Sequence, residues 1–586
     1  MGFKYYDFEN SSDNADWMLH NGNGSAGIST EDSHSGDYSL RLRGVSTSDN
    51  CYGEVGVSNP NEITYWVKLN SDWDTSGTYK DTLYVEYYDG SYHTVREISD
   101  DSAIDNWVQY TDSIPSNATK IRFRANITGS TEKCFIDDVI IYPDLDNKED
   151  WEYYKQLDIS NFDDNYQVKV TVYSGSGSDS TNTIYCDNKC SSFPNDIRFG
   201  TTSDPSTASQ LPQWIEQSDS SSAIIWVRLP STTISSIYMF IGNSNASQYS
   251  DANNTFIWFD DFSGNYHSLS DYTIVDAGDN DSPSDWVMDT TNKKIIQHSN
   301  IYDSGDEFGS VLLVGRNLKD ISISVKIKEV DNDEIGLLFG YQDSTHYYCT
   351  YLNNQTTPYW AIVKDGANRR ATNYLASSNS NQPNTTTVYK MEVKYYGNGN
   401  IYYYIDDNLK LNATDTSYES GDLGIMTDGC DEGEFHANFI VRKYSSPEST
   451  LTPTGDWVSL SEVCQGDIII SGNNCSICCF VNRWDTSDYT FTIETWLKKN
   501  DFNDLMSSAK PGAVGELYKI LDRPYYYDKT WTNENTLKFI PVAASVMSYL
   551  RNTTVGYVRN IVASPLEGPS KYIAVKIECF VSGSTL

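Results

Sequence analysis

Short segments in which apolar and polar residues alternate constrain this chain more than any other feature. Residues 64–69, 169–173 and 322–327 are examples, and clusters of Asn, Asp, Ser and Gly separate such segments. Because successive side chains of a strand point to opposite faces, this alternation is typical of half-buried strands. Many short strands between turn clusters are typical of β-sandwiches. We therefore predict a mainly β fold for residues 1–446.

The charge and composition argue against several classes of protein. Among 586 residues, 42 are Lys or Arg and 81 are Asp or Glu, which gives a net charge of −39. Nucleic acid and anionic lipid both require a basic surface, so neither is an expected partner. The sequence has no run of about 18 apolar residues, so we expect no membrane insertion. The 44 Tyr and 14 Trp argue against a disordered chain.

Three motifs lie in region 1–146. They are a Phe-Glu pair at 8–9, the segment His-Ser-Gly-Asp-Tyr-Ser-Leu at 34–40, and an Asp-Asp pair at 137–138. With these motifs the region resembles jelly-roll carbohydrate-binding modules. The resemblance implies a jelly roll in which the first and last strands lie side by side.

The same resemblance implies a structural calcium ion. Its ligands would be Glu9, Asp137 and the carbonyl or side chain of Asp37, with Asp7 as an extra ligand. Calcium binds six to eight oxygens and would offset the repulsion between converging carboxylates. The alternative is that these acids face solvent, as many must in a chain this acidic.

Aromatic residues of region 1–146 are candidates for stacking on sugar rings. Trp66 and Trp107 alternate with Val or Ile, which favours the core. Trp73 lies among turn residues, which favours exposure. We therefore predict Trp73 as a glycan-binding residue.

Region 150–256 carries an ordered set of motifs. They lie at 151–155, 196–199, 211–216, 225–230 and, just beyond the region, 259–262. This set resembles the family catalogued as domain of unknown function 2341, which occurs in archaeal, bacterial and viral surface proteins. The resemblance implies no catalytic residues, and we expect a structural β-sandwich.

Region 257–446 resembles concanavalin A-like, laminin-G-type sandwiches. The resemblance comes from strands separated by Gly-rich hairpins, an Asp-Asp pair at 406–407 and Gly-Asp-Leu-Gly-Ile at 421–425. Aromatic residues crowd one hairpin of this region, and alternation would turn about half of them outward. The predicted glycan-binding residues here are Tyr347, Tyr351, Tyr359 and Trp360.

Region 447–586 differs from the rest of the chain in the spacing of its apolar residues. Pro447 and Pro453 indicate a linker, and apolar residues near helical spacing at 512–521 and 542–550 predict helices. We expect an α+β domain for attachment or oligomerisation.

The cysteines of this last region leave their role open. Cys475 and Cys478 have the spacing of metal ligands, with Cys464 as a third candidate and Cys479 beside them. Disulfides or free thiols are the alternative.

An enzyme is not the expected function. Concanavalin-like glycosidases place two carboxylates on one face about 5 Å apart. Segment 329–334 contains Glu, Asp, Asp and Glu, but its centre has the composition of a turn. The sequence contains neither a His-Glu-x-x-His nor a Gly-x-Ser-x-Gly motif.

The sequence therefore predicts a non-enzymatic, extracellular surface protein that binds cell-surface glycan. A strand-like segment follows Met1 closely, without a secretion leader. This favours a virion tail fibre or receptor-binding protein that recognises the cell-surface glycan of a prokaryote, such as an archaeon. A homo-oligomer such as a trimer, with virion or surface-layer neighbours, is the expected assembly. The alternatives are a cellular adhesin or a sheath or surface-layer protein, and a glycan-degrading hydrolase with accessory modules.

Overall fold

The computed structural model describes residues 3–460, except 10–13, 46–48, 78–79, 100, 147–149, 303–307, 356 and 365–373, and five strands beyond residue 460. The chain divides into two compact units, Met1–Val458 and Ser459–Leu586. The prediction of a mainly β fold is confirmed. The first unit contains three pairs of sheets, called sandwich 1, sandwich 2 and sandwich 3 below.

Sandwich 1 consists of eleven strands. They are β1 (Lys4–Tyr6), β2 (Trp17–His20), β3 (Ser25–Ser29), β4 (Ser39–Arg43), β5 (Asp49–Gly56), β6 (Pro60–Leu69), β7 (Thr82–Tyr88), β8 (Tyr92–Ile98), β9 (Val108–Ser113), β10 (Lys120–Ile127) and β11 (Lys133–Pro143). One sheet has the order β3-β4-β11-β6-β9, with β1 also paired to β11, and the other has the order β2-β5-β10-β7-β8. The first and last strands therefore lie side by side, as predicted.

The core of sandwich 1 follows from the alternation of its strands. Along β10, Ile121, Phe123 and Ala125 are fully buried, whereas Arg122 and Arg124 point to the other face. Burying apolar faces of two sheets against each other is the main stabilising contribution to such a fold.

Sandwich 2 begins with seven strands and one short helix. They are β12 (Tyr153–Ser160), β13 (Gln167–Tyr173), β14 (Thr183–Tyr185), β15 (Arg198–Gly200), β16 (Gln213–Ser218), β17 (Ser222–Arg228), β18 (Ser236–Ile241) and α1 (Ala252–Thr255). One sheet has the order β14-β13-β17-β16, and β15, β18 and β12 belong to the other.

Sandwich 3 is the largest of the three. Its strands are β19 (Trp258–Asp260), β20 (Thr273–Asp276), β21 (Trp286–Asp289), β22 (Lys294–Gln297), β23 (Ser310–Leu313), β24 (Ile321–Glu329), β25 (Glu334–Asp343), β26 (His346–Asn353), β27 (Tyr359–Lys364), β28 (Tyr374–Ser378), β29 (Tyr389–Tyr396), β30 (Asn400–Ile405), β31 (Asn408–Thr414), β32 (Asp422–Asp428) and β33 (Gly433–Lys443). One sheet has the order β21-β22-β33-β24-β29-β30-β31, with β19 also paired to β33, and the other has the order β20-β23-β32-β25-β26-β27-β28.

After sandwich 3 the chain returns to sandwich 2. Strand β34 (Thr450–Ser459) pairs beside β12 and completes the order β15-β18-β12-β34. Sandwich 3 is therefore inserted between two strands of sandwich 2, and the segment predicted as a linker around Pro453 is a strand. Proline is compatible with this position because β34 is an edge strand, where an outward N–H needs no partner.

The three sandwiches pack against one another within the first unit. Phe3, Ile140 and Tyr142 of sandwich 1 belong to the same apolar cluster as the core of sandwich 2. The Arg442 guanidinium of sandwich 3 donates to the Tyr166 hydroxyl of sandwich 2 over 3.2 Å. Through these contacts, residues 3–458 form one compact unit rather than three separate domains.

The second unit contains five described strands. They are β35 (Ile468–Ser471), β36 (Asn474–Ile477), β37 (Tyr489–Lys498), β38 (Gly556–Pro565) and β39 (Tyr572–Val581), in sheets β35-β36 and β37-β39-β38. The helices predicted at 512–521 and 542–550 lie outside the described residues, as do Cys464, Cys478 and Cys479. The α+β domain therefore stays a prediction. Across the part of the chain that the structure describes, no helix is both long enough and apolar enough to cross a bilayer.

Candidate functional site

Two of the predicted calcium ligands hold the same hairpin of sandwich 1. The Glu9 Oε1 accepts hydrogen bonds from the backbone N–H of Asp37 (2.8 Å) and of Tyr38 (2.7 Å). Gly36, at φ +57°, makes this possible, since a Cβ there would lie 2.4 Å from Glu9 Oε1. The Asp137 Oδ2 accepts from His34 (2.8 Å) and Ser35 (3.1 Å).

The four predicted ligands do not converge as a cluster of carboxylates. No three of Glu9, Asp37, Asp137 and Asp7 place carboxylate oxygens within 4.8 Å of one another. The Asp7 Oδ2 instead accepts from the Arg316 guanidinium at 2.7 Å. Burial and the neighbouring Asp138 raise the pKa of Asp137 to about 9. Their present arrangement fits hairpin anchors, and calcium at these residues stays a prediction.

Most of the predicted sugar-stacking residues lie in cores, so their prediction is wrong. Trp73 is 3% exposed, Trp360 is 1% exposed, and Tyr347 and Tyr351 are fully buried. Tyr359 is half-buried, and its hydroxyl lies 3.0 Å from that of Tyr374. The four buried rings cannot offer a face to a sugar, whereas glycan binding by the half-buried Tyr359 stays a prediction.

The errors have different physical causes. Trp73 follows a turn closed by a hydrogen bond from its own N–H to Asn70 O (3.0 Å), and its ring joins the core of sandwich 1. Tyr347 and Tyr351 lie on β26, where both faces are covered, because a second apolar cluster packs on the other side of that sheet. Trp66, predicted in the core, is instead half-buried and stacks on His34 at 3.8 Å between ring centroids.

The outer face of the five-stranded sheet of sandwich 1 has the character of a binding surface. We call it the Tyr–Arg face. Its residues are His20, Tyr52, Glu54, Tyr84, Glu86, Tyr88, Tyr92, Lys120, Arg122 and Arg124. Tyr52, Tyr84, Arg122 and Arg124 lie at outward positions of strands whose alternate residues fill the core.

Two arginines and one glutamate form the centre of the Tyr–Arg face. In the register of the sheet, Arg122 lies opposite Glu86, and Arg124 follows two residues later on the same side. The Glu86 carboxylate accepts from Arg122 Nε at 2.7 Å and from Arg124 Nε and Nη2 at 3.0 and 2.8 Å. Burial raises the pKa of Glu86, but hydrogen bonds from Arg124 and Arg122 outweigh it and hold that pKa below its usual value. The carboxylate therefore stays ionised and fixes both guanidinium groups.

Tyrosine rings flank this centre. The Arg122 guanidinium lies 3.4 Å from the centroid of Tyr92 and 5.0 Å from that of Tyr52. The Arg124 guanidinium lies 4.2 Å from the centroid of Tyr84. Such cation–π contacts hold the rings in place.

A second carboxylate completes the Tyr–Arg face. Glu54 lies opposite Arg122 on β5, pairs with Lys120 Nζ at 2.6 Å, and accepts a hydrogen bond from the Tyr92 hydroxyl. Burial and this bond to Glu54 raise the pKa of Tyr92 to about 12. The face thus presents fixed rings beside guanidinium groups whose positions are set by buried carboxylates.

The sequence carried a signal for this face. Tyr52 and Glu54, Tyr84, Glu86 and Tyr88, and Arg122 and Arg124 recur at a spacing of two within strands. Rings that share a strand face with charged residues cannot be buried as readily as rings that share it with Val or Ile. Neither a high density of tyrosine nor a tryptophan in a turn indicates this face.

The segment considered for hydrolysis contains two buried acids. Glu329 ends β24 and Glu334 begins β25, and the side-chain amides of Asn354 and Asn353 donate to them, respectively. Burial raises the pKa of Glu329 to about 7. Residues 330–333 connect the two strands, and the composition of 331–333 predicted this turn.

The fold and the site define a class: a mainly β protein of packed sandwiches, one of which exposes an organised face of tyrosine and arginine. Residues 194–275 match the model of the family described as domain of unknown function (DUF2341). The predicted resemblance is thereby confirmed for part of sandwich 2 and the start of sandwich 3. No curated protein matches the sequence.

Several solved structures are similar to parts of the chain. They include the carbohydrate-binding module CBM66 from Bacillus subtilis, with 17% identity over 30% of this chain and 96% of that one, at a TM-score of 0.24. The C-terminal family 22 carbohydrate-binding module of Clostridium thermocellum Xyn10B has 18% identity over 24% and 92%, at 0.18. The K3 cleaved adhesin domain of Lys-gingipain from Porphyromonas gingivalis has 18% identity over 24% and 97%, at 0.19. Scores this low support no functional conclusion.

Proposed function

We propose that this protein is a non-enzymatic, glycan-binding surface protein and that the Tyr–Arg face is its binding surface. One observation carries the proposal: Tyr52, Tyr84 and Tyr92 lie against Arg122 and Arg124, whose positions Glu54 and Glu86 fix. Preorganised rings and bidentate donors are the combination from which binding hot spots are built.

The chemistry of a sugar matches the chemistry of this face. A pyranose has apolar C–H faces that can cover an aromatic ring, and its rim of hydroxyl groups can accept from guanidinium and donate to carboxylate. Tyrosine contributes large contact area at a low cost in conformational entropy.

The charges of the face favour a neutral glycan. Lys120, Arg122 and Arg124 are offset by Glu54 and Glu86, so no strong excess of one sign is presented. The whole chain carries −39, which repels acidic polymers at long range. A neutral polysaccharide needs no excess of one charge on the face and is not repelled by the net charge of the chain.

The protein is proposed to act on the outside of a cell or particle. The simplest candidate is a virion tail fibre or receptor-binding protein that attaches to a prokaryotic envelope. Antibodies raised against this protein should label virion tails in electron micrographs. Label confined to cell envelopes would instead identify a cellular adhesin or surface-layer protein.

Binding is tested with the full chain on an array of neutral and acidic oligosaccharides, followed by calorimetry with each array hit. We expect at least one neutral glycan to bind. Tyr84→Ala should weaken that binding at least about tenfold, or roughly 1.4 kcal/mol, because we expect Tyr84 to be one of the few residues that dominate the binding energy.

The matched control for this test is Tyr404→Ala. Tyr404 is also half-buried on a strand and lies under a cation, with Lys394 Nζ 5.1 Å from its centroid, but it belongs to sandwich 3. Its variant should bind within twofold of the unmodified protein. Equal weakening by both variants, or no glycan bound by the unmodified protein, would reject the proposal.

The raised pKa of Glu329, about 7, suits a general acid and supports a second candidate, a glycoside hydrolase. Incubation of the protein with each bound glycan should release no reducing ends. Release that disappears in Glu329→Gln would establish the hydrolase instead.

A further inference from the structure

A second group of acids in sandwich 1 lies apart from the predicted calcium ligands in the sequence. Asp74 and Asp81 belong to the connection between β6 and β7, and Glu132 precedes β11. One carboxylate oxygen from each of the three lies within 4.8 Å of the other two. Asp74 is exposed, whereas Asp81 and Glu132 are buried.

Hydrogen bonds fix Asp81 at the centre of this group. Its Oδ2 accepts from the backbone N–H of Asp74 at 2.8 Å, and its Oδ1 accepts from the backbone and hydroxyl of Thr128 at 2.7 and 2.8 Å. Among the residues that the structure describes, no Lys, Arg or His forms an ion pair with Asp74, Asp81 or Glu132. Three carboxylates are thus held together without a described cation to offset their repulsion.

Glu132 supplies an independent observation. Glu132 as a whole is 8% exposed, and its Oε2 accepts no hydrogen bond from any residue that the structure describes. The carboxylate lies over the Cα of Gly129, where a Cβ would come within 2.2 Å of Oε1. A buried carboxylate oxygen without a donor is costly, and buried charges are normally paired or bound to metal.

We propose that Asp74, Asp81 and Glu132 bind a divalent cation, and that the cation is calcium. Three carboxylates provide the hard oxygen ligands that calcium prefers, and the remaining positions can be filled by carbonyl oxygens or water. Calcium tolerates irregular ligand arrangements, whereas magnesium requires a near-ideal octahedron. The exposed Asp74 gives the ion a route from solvent.

The bound ion would connect two loops of sandwich 1. It joins the β6–β7 connection to the turn between β10 and β11, and β7 and β10 are the strands that carry Tyr84, Glu86, Arg122 and Arg124. Calcium would therefore stabilise sandwich 1 where these two strands end. The site does not depend on the proposed glycan function.

The test is calorimetric titration of calcium chloride into the full chain after removal of metal with a chelator. The unmodified protein should bind one more equivalent of calcium than Glu132→Gln, or bind it at least roughly tenfold more tightly, because one charged ligand is lost. Glu9→Gln serves as the control and should keep this equivalent. Thermal melting in chelator should show that Glu132→Gln is folded.

Asp74→Asn gives a second variant if Glu132→Gln does not fold, since the Asp74 side chain is exposed and only its backbone atoms bond to Asp81. It should lose the same equivalent of calcium. The proposal is overturned if the unmodified protein binds no calcium. It is also overturned if the folded variants bind as many equivalents as the unmodified protein, with affinities within threefold.

Discussion

Two tyrosine-rich regions of this protein look alike in sequence and have opposite environments. In the Tyr–Arg face of sandwich 1, Tyr84 is half-buried and Tyr92 is 36% exposed. In strand β26 of sandwich 3, Tyr347, Tyr348 and Tyr351 are fully buried. The density of tyrosine therefore says little about whether a ring is accessible.

The neighbours of each ring explain the difference. Tyrosines of the Tyr–Arg face share their side of the sheet with Glu54, Glu86 and Arg122, whose charges resist being covered by apolar residues. In sandwich 3 the outward side of β26 shares its cluster with Phe308, Leu338 and Met426. Covering that side removes apolar area from water and stabilises the sheet on both faces.

The largest expected effect is the loss of stability when a ring of the buried region in sandwich 3 is removed. Trp360→Ala should lower the free energy of unfolding by about 3–5 kcal/mol, since it removes a large ring from the core and the indole hydrogen bond to Asn381 O. Chemical denaturation followed by tryptophan fluorescence measures the loss. Tyr84→Ala, on the Tyr–Arg face, should cost about 1 kcal/mol or less.

The comparison between the regions fails if these two variants exchange roles. A Trp360→Ala protein that keeps its stability but loses glycan binding would show that the ring is accessible after all. Binding by folded Trp360→Ala should instead match that of the unmodified protein.

The next largest expected effect is a loss of stability of sandwich 3 at low pH. His267 stacks on Trp258 at 3.7 Å, and burial lowers the pKa of His267 to about 4 from an unfolded value of 6.5. The unfolded state therefore takes up the proton first, and stability is lost as pH falls from 6.5 to 4. The loss should be about 3 kcal/mol, and His267→Gln should not show it.

The measurement is denaturation of both proteins at several pH values, taken as the difference between them. This difference separates His267 from Asp260 and Asp422, whose pKa values burial raises to about 6 and which act in the opposite direction. Equal pH dependence of the two proteins would contradict the assignment. On the Tyr–Arg face, Glu86 should keep its charge to a lower pH than an ordinary glutamate, because hydrogen bonds from Arg124 and Arg122 lower its pKa.

The smallest expected effect is that of Tyr92→Phe. It removes the hydroxyl that donates to Glu54 but keeps the ring over Arg122. Stability should fall by about 1 kcal/mol or less, and glycan binding should weaken by less than about fivefold. Complete loss of binding in calorimetry would show that the hydroxyl, rather than the ring, makes the contact.

The amino-acid sequence by itself determined the mainly β fold, because alternation with period two encodes strands locally. Its short motifs also implied, through resemblance to known families, the adjacency of β1 and β11 and the family now matched at residues 194–275. These features depend on residues close together in the chain or on short motifs.

The tertiary structure decided which side chains meet and which are covered. It placed β34 beside β12 across an inserted sandwich, moved Trp73 into a core, and left Trp66 stacked on His34. Each outcome depends on contacts between residues far apart in sequence. Alternation indicates that a strand has two different faces, but only the packing of sheets and loops determines which face is exposed to water.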